Sequence, residues 1–509
     1  MYCFLRPCWR CAAFLILAAA TLSAQSLKEF EKRVTEFSLP NGMHFILVER
    51  HDAPVVSFHT YVNAGSVDDP GGETGLAHMF EHMAFKGTST IGTKNYPAEK
   101  QAMAEVERIY DAYDAERDKA FRADPKKLAE LQTQLKAAMA KAESYVIPNE
   151  YPRIIEENGG EGLNAETAED STEYFYSLPS NRLELWFNLE SDRFYDPVFR
   201  EFYKERDVVR EERRMRVESS PQGHLVEVLL ATAFEAHPYR VPAGGWSSDI
   251  DNLRLGEAKE FYKTYYAASN ITIGIAGDAY PAQVKALATR YFSRVAGGPP
   301  PPVVTTVEPK QTGEKRVRVD AVSQPLIAFA YKRSDSYSPD DAALEVLGQI
   351  LSGGRTSLLY EELVRDKKLA LGAFAAPSFP GGKYPTLFVF YIVPNLGHTI
   401  DENEKACLDI IERVKSKGVD EEALKRVKTK VRASLIRQLD SNSGLANQMA
   451  SYYGFYGDWH KLFTEIDDID KVTAADVQRV AKVYLVDDSR TVAYIEPPKS
   501  ASAQAGGAK

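Results

Sequence analysis

The chain has 509 residues, 44% of them hydrophobic and 26% charged, the balance of an ordinary globular protein and not of a disordered one. At roughly 100–200 residues per domain, this length predicts two large domains or three modest ones. Sixty-two basic against 72 acidic side chains leave a formal charge of −10 with no Lys/Arg-rich run, which argues against nucleic acid or an anionic membrane as the main partner.

Arg6 and Arg10 lie ahead of an uncharged run, Cys11 to Ala24, that ends in small residues. A basic start, a short apolar stretch and a small-residue end predict a secretory signal peptide over residues 1–24. The run is shorter than the about 20 residues a membrane span needs, and nothing later is long and apolar enough, so no span is expected after cleavage. The protein is therefore expected to be exported, to the periplasm first and the extracellular medium second. Cleavage removes Cys3, Cys8 and Cys11 and leaves Cys407 alone. With no internal disulfide available, stability has to come from a large core.

Further along, Val55–Val62 alternates as a strand and leads to a helix around Leu76–Phe85 that stops at Gly87. From about residue 100 to 150 the composition turns to Ala, Glu, Lys and Leu with helical period, broken at Ala123-Asp-Pro125, which predicts an inserted helical hairpin. A helix end at Phe261–Tyr266 runs into a strand at Ile271–Ile275. The run Ala296-Gly-Gly-Pro-Pro-Pro-Pro302 can join neither a helix nor a central strand, so residues 297–315 read as a stiff linker. Beyond it the earlier pattern returns. A strand at Leu326–Tyr331 precedes the helix Asp341–Leu351, and Val480–Leu485 precedes a strand at Arg490–Tyr494. Residues 25–296 and 316–497 thus read as diverged copies of one unit, the first longer by the hairpin. The tail, 498–509, rich in Ala, Gly, Ser and Lys, is expected to be disordered.

The chemistry is concentrated in His78-Met-Phe-Glu-His82. On a helix, positions i and i+4 stack one above the other, so both imidazoles can face one ion, with the Glu81 carboxylate beside it. H-x-x-E-H is the inverted form of the zincin H-E-x-x-H motif, and catalytic zinc needs a third protein ligand and an open position for water. That ligand is expected in Lys204-Glu-Arg-Asp-Val-Val-Arg-Glu-Glu-Arg213, where Glu205 and Glu212 lie two helical turns apart with Val208 and Val209 between them on one buried face. Buried carboxylates need a metal or a hydrogen-bonded partner. Asp207, Arg210, Glu211 and Arg214 fit the solvent side of the same helix.

Gly75-Leu-Ala-His-Met-Phe-Glu-His-Met-Ala-Phe-Lys-Gly-Thr88 resembles the zinc helix of the pitrilysin/insulinase family of metallopeptidases, which includes the mitochondrial processing peptidases. Leu39-Pro-Asn-Gly-Met43, Asn63-Ala-Gly-Ser66, Gly162-Leu-Asn-Ala165, Glu205-Arg-Asp-Val-Val, His237-Pro-Tyr239 and Ser352-Gly-Gly-Arg-Thr-Ser357 extend the resemblance over nearly the whole mature chain. It implies an α+β fold of two homologous domains, each an antiparallel sheet with helices packed on one face. It implies one zinc per chain with His78, His82 and Glu212 as ligands, Glu81 as general base and Glu205 orienting a ligand histidine. The implied activity is a zinc endopeptidase that cuts peptides or unfolded segments by Glu-assisted attack of a zinc-activated water. The segment Gly162–Tyr176 resembles the family's edge strand, with Asn164 and Ala165 against the substrate. One motif departs from the pattern. In Leu363-Val-Arg-Asp-Lys-Lys-Leu-Ala-Leu-Gly372, Arg365 matches the family's oxyanion arginine, but Leu371 or Gly372 stands where a tyrosine is expected. This predicts a paralogous subunit that supplies an Arg/Tyr pair in a hetero-dimer, with a homodimer as runner-up. A different class of reading is a non-catalytic or assembly subunit of such a complex.

Overall fold

The computed structural model describes residues 30–496; the expected leader and the tail 498–509 lie outside the described residues. Two sheets organise the chain. The first contains β1 (Val34–Ser38), β2 (His44–Glu49), β3 (Val55–Val62), β4 (Glu161–Thr167), β5 (Thr172–Pro179) and β6 (Ile271–Gly277), in the order β1-β2-β6-β3-β5-β4. The second contains β7 (Lys315–Arg318), β8 (Leu326–Arg333), β9 (Ala370–Phe379), β10 (Thr386–Pro394) and β11 (Arg490–Ile495), in the order β7-β11-β8-β10-β9. From β2 outward the second order repeats the first, so the internal repeat is present in the topology. The fold is α+β, as expected. Neither sheet is wholly antiparallel, however. β2 pairs with β6, and β7 with β11, in parallel. In each case more than a hundred residues intervene, ample for the crossover that parallel pairing requires.

Seven helices place the site and join the halves. They are α1 (Leu76–Met83), α2 (Tyr96–Arg117), α3 (Pro125–Glu143), α4 (Phe202–Arg213), α5 (Pro221–Ala233), α6 (Asp341–Ser352) and α7 (Asn442–Tyr456). α2 and α3 form a hairpin, and α3 starts at the predicted break, with Asp124 accepting the Lys126 N–H at 2.9 Å and Pro125 in the first helical turn. α6 occupies in the second half the place α1 holds in the first.

The expectation of helices on one face of each sheet needs amending, because the other face is covered too, by an exchange between halves. α7, from the second half, lies on β6, β3 and β2, burying Leu445, Ala446 and Met449 against Ile46, Val48 and Ala276. α5, from the first half, lies on β11, β8 and β7, burying Leu225, Leu229 and Leu230 against Leu326, Ala328 and Ala493. This accounts for β6, in which every residue of Ile271-Thr-Ile-Gly-Ile-Ala-Gly277 is buried, the pattern of a strand covered on both sides. Gly274 is needed for the crossing, since a Cβ there would stand 2.1 Å from the Ala446 carbonyl oxygen.

Residues 296–314 have neither helix nor strand, and the segment is stapled down. The Glu308 carboxylate accepts the N–H groups of Glu235, Ala236 and His237 at 2.8, 3.0 and 3.0 Å and pairs with Lys332 Nζ at 3.0 Å. Burial works against the charge, but these donors hold the Glu308 carboxyl down at about 2. Among the described residues no helix is long and apolar enough to cross a membrane.

Candidate metal centre

α1 is fixed before it presents anything. Gly75 enters it with φ 97°, a conformation glycine adopts without penalty, and the half-buried Asp69 carboxylate accepts the N–H groups of Gly75 and Ala77 at 2.7 and 2.9 Å. Leu76, Ala77, Met79, Phe80 and Met83 turn inward, Phe80 into a ring cluster with Phe199, Phe261 and Tyr266. His78 and His82 are left on the other side, ring centroids 5.0 Å apart.

α4 runs across this face. Val209 is fully buried and holds the helix down, which puts Glu205 and Glu212 toward the imidazoles. Val208, expected on the buried face, is instead 45% exposed. The turn runs Glu205, Val209, Glu212 at steps of four and three, and Val208 falls outside that stripe. Asp207, Glu211 and Arg214 are exposed and Arg210 half-buried.

The three expected ligands converge. Glu212 Oε2 lies 3.3 Å from His82 Nε2 and 3.8 Å from His78 Nε2, and the ligand atoms of all three residues fall within 4.8 Å of one another. No other His, Cys, Asp or Glu group of this kind occurs among the described residues. Two atoms bound tetrahedrally at about 2.0–2.1 Å from one zinc would be about 3.3 Å apart, so the donor set and its spacing fit zinc. Burial, aided by the neighbouring His82 ring, depresses His78 to about 4, which keeps it neutral as a ligand must be. At His82 burial is outweighed by the Glu205 hydrogen bond and the Glu212 and Glu81 carboxylates, which raise it.

A further layer orients these groups. Glu205 Oε2 sits 3.4 Å from His82 Nδ1, the nitrogen that faces away from Glu212. Lys86 bonds Glu205 and lies 3.1 Å from Glu201, while Arg216 holds the second oxygen of Glu212 at 2.7 Å. Glu81 and His82 open onto a cleft of about 480 Å³ whose lining includes Phe85, Ile147, Asn149 and Glu201. Burial raises the Glu81 carboxyl from its ordinary value, against the Thr167 hydroxyl and the His82 ring. Lys86, Arg216 and Thr167 were not anticipated from the sequence. Lys86 stands four residues beyond His82 and Arg216 four beyond Glu212, so helical spacing could have found both.

Asn164 and Ala165 lie on β4, the outermost strand of the first sheet, opposite Phe175 and Tyr174 of β5. Asn164 is exposed and Ala165 half-buried. The segment Gly162–Tyr176 is not one strand. β4 ends at Thr167, residues 168–171 turn with Ala168 N–H donating to Ser171 O at 2.9 Å, and β5 returns from Thr172. Glu169, Asp170 and Ser171 are the turn-forming residues that break it. Arg365 is not brought to the metal group. It lies in a helical segment of the second half, its guanidinium spent on Glu361 at 2.8 Å and Asp366 at 2.7 Å. Leu371 is 58% exposed on β9.

Residues 44–119 and 136–244 match the family model described as insulinase (peptidase family M16), and residues 252–431 match that of the peptidase M16 inactive domain. The chain belongs to the pitrilysin/insulinase family. Its metal group lies in the first match, and the interruption at 120–135 falls in the hairpin. Over 498 residues it is 27% identical to the zinc protease PqqE of Helicobacter pylori, covering 96% of this chain and 97% of that one. A solved protease from Helicobacter pylori superposes with a TM-score of 0.76 at 25% identity, covering 91% of this chain and 99% of the other. The first half of the periplasmic protease PqqL from Escherichia coli shares the fold, with a TM-score of 0.65 at 16% identity over 93% of each chain.

Proposed function

We propose that this family member is an exported zinc metalloendopeptidase that hydrolyses peptides or unfolded segments, holding one zinc through His78, His82 and Glu212. The observation that carries the reading is the convergence of two imidazole nitrogens and one carboxylate oxygen beside a cleft that also contains Glu81. Zinc bound there supplies a Lewis acid that polarises the scissile carbonyl and makes water acidic near neutrality.

The protein's own part is proton transfer and alignment. Glu81, with its proton affinity raised by burial, takes the proton of the attacking water and delivers it to the departing amine. β4 offers a free strand edge, so an extended peptide pairs with its main chain, passing Asn164 and Ala165. A folded protein cannot present such a strand, so substrates are unfolded segments or short peptides. Arg365 is already paired within its own segment and Leu371 carries no donor, which supports an Arg/Tyr pair supplied by a paralogous subunit or, failing that, a second copy. Export rests on the leader-like first 24 residues and on the likeness to a protease named periplasmic.

The test is Glu81→Gln. It should retain zinc by metal analysis and lose about 10²–10⁴ of its turnover on an unfolded peptide. Turnover equal to wild type removes Glu81 from the mechanism. A chain fully active when purified alone, at a concentration where it is monomeric, removes the need for a partner.

A further inference from the structure

The hairpin grips α4 at the residues that bracket Glu205. The Tyr203 ring stacks on Tyr110 of α2 with centroids 4.0 Å apart and 19° between planes, and its hydroxyl donates to Glu107 at 3.2 Å. Lys204 reaches Glu143 of α3 at 2.5 Å. Arg206 donates to the Tyr110 hydroxyl at 2.6 Å and to the Leu253 carbonyl at 3.1 Å, with its guanidinium over both tyrosine rings. Tyr110 is 1% and Tyr203 5% exposed, so this is a packed joint and not a surface contact. Just before the helix, Arg200 bonds Glu99 of α2 at 2.7 Å.

Glu205 sits between Lys204 and Arg206 and looks the other way, to His82 Nδ1 and Lys86. The far end of α4 is secured without the hairpin. Arg213 bonds Glu227 of α5 at 2.6 Å, and Arg210 pairs with Glu218 at 2.9 Å and Asp251 at 3.4 Å. Glu212 belongs to that end. The hairpin's leverage therefore falls on Glu205 and, through it, on the orientation of the His82 ring.

We propose that the hairpin of α2 and α3 is a positioning element for the metal centre, with Tyr110 and Arg206 as the residues that set Glu205 against His82. The partner of a ligand histidine fixes its tautomer and ring angle, and losing such a partner weakens metal binding by about 10–100-fold. Neither Tyr110 nor Arg206 touches substrate or metal; both act through Glu205.

The inference rests on the zinc reading above, and the experiment separates the two. Zinc Kd is measured by chelator competition on the full chain, wild type against Tyr110→Phe, Tyr110→Leu and Arg206→Lys, alongside kcat, KM and the Tm of the metal-free protein. Tyr110→Leu and Arg206→Lys should weaken zinc binding about tenfold or more and lower kcat with KM nearly unchanged. Tyr110→Phe, which keeps the ring stack and loses only the hydroxyl, should fall between them and wild type. If the hairpin merely adds stability, Tm falls while zinc Kd stays within about twofold of wild type, and the proposal is overturned. Should Tyr110→Leu fail to fold, Arg206→Lys decides by the same criterion. A wild-type chain that binds no zinc overturns the functional reading itself, and this inference with it.

Discussion

At the residue scale the site is a short chain of orientation: Lys86 and Glu205 set His82, Arg216 sets Glu212, and Glu81 stands beside both. Removing a link should cost metal in proportion to its closeness. His78→Ala should lose bound zinc outright, and Glu205→Gln should weaken binding by about 10–100-fold while the fold, followed by circular dichroism, is unchanged. Equal affinity in Glu205→Gln would remove that carboxylate from the orienting role. The two histidines and Glu81 were legible because three residues in five positions of one helix share a face. Between Glu205 and Glu212 the spacing alone could not choose the ligand, since both lie on one stripe; the family resemblance chose Glu212. Val208 shows the limit of that stripe: Val209 lies at its centre, and Val208, turned about 100° away from it, is left 45% exposed. Arg365 was placed by motif similarity alone, and its position in the second half leaves it paired to Glu361 and Asp366.

Secondary structure that alternated or repeated was readable: β3, β6, β8 and β11, the helices α1 and α6, and the hairpin break at Asp124-Pro125 all fall where periodicity put them. What could not be read was which sheet each of α5 and α7 would cover. Their apolar faces are compatible with either sheet, and only the three-dimensional path of the chain assigns them. Parallel pairing of β2 with β6 was hidden for the same reason. Two substitutions test the elements as packed. Gly274→Val should lift α7 from β6 and lower stability, because its Cβ would fall 2.1 Å from the Ala446 oxygen. Arg200→Met strands the buried Glu99 carboxylate and takes the guanidinium donor from the carbonyls of Thr88 and Ile91, of which Ile91 keeps the Thr88 N–H at 2.9 Å. It should destabilise the first half by about 3–5 kcal/mol in urea unfolding. A change under about 1 kcal/mol would mean that water replaces the guanidinium.

Taken whole, the molecule is two copies of one unit locked by exchanged helices and by a linker that is held in place. Four prolines in a row marked the linker, but its anchor, Glu308, lies beyond them in a polar stretch with no distinguishing pattern. Glu308 binds a backbone turn of the first half and Lys332 of the second. Its carboxyl is held at about 2, below its ordinary 4.5, so its contribution is present above pH 4.5 and is lost as pH falls through about 2. Glu308→Gln should therefore cost about 1–2 kcal/mol at pH 7, and the difference from wild type should vanish toward pH 2. A difference independent of pH would assign the effect to shape and not to charge.

The central claim, that His78, His82 and Glu212 close on one zinc, is tested most directly by anomalous diffraction at the zinc edge from crystals of the wild-type chain grown with zinc. The account predicts a single strong peak per chain between His78 Nε2, His82 Nε2 and Glu212 Oε2, and none there in crystals of Glu212→Gln grown at the same zinc concentration. No peak at that point in the wild type, or an undiminished one in the variant, would contradict it.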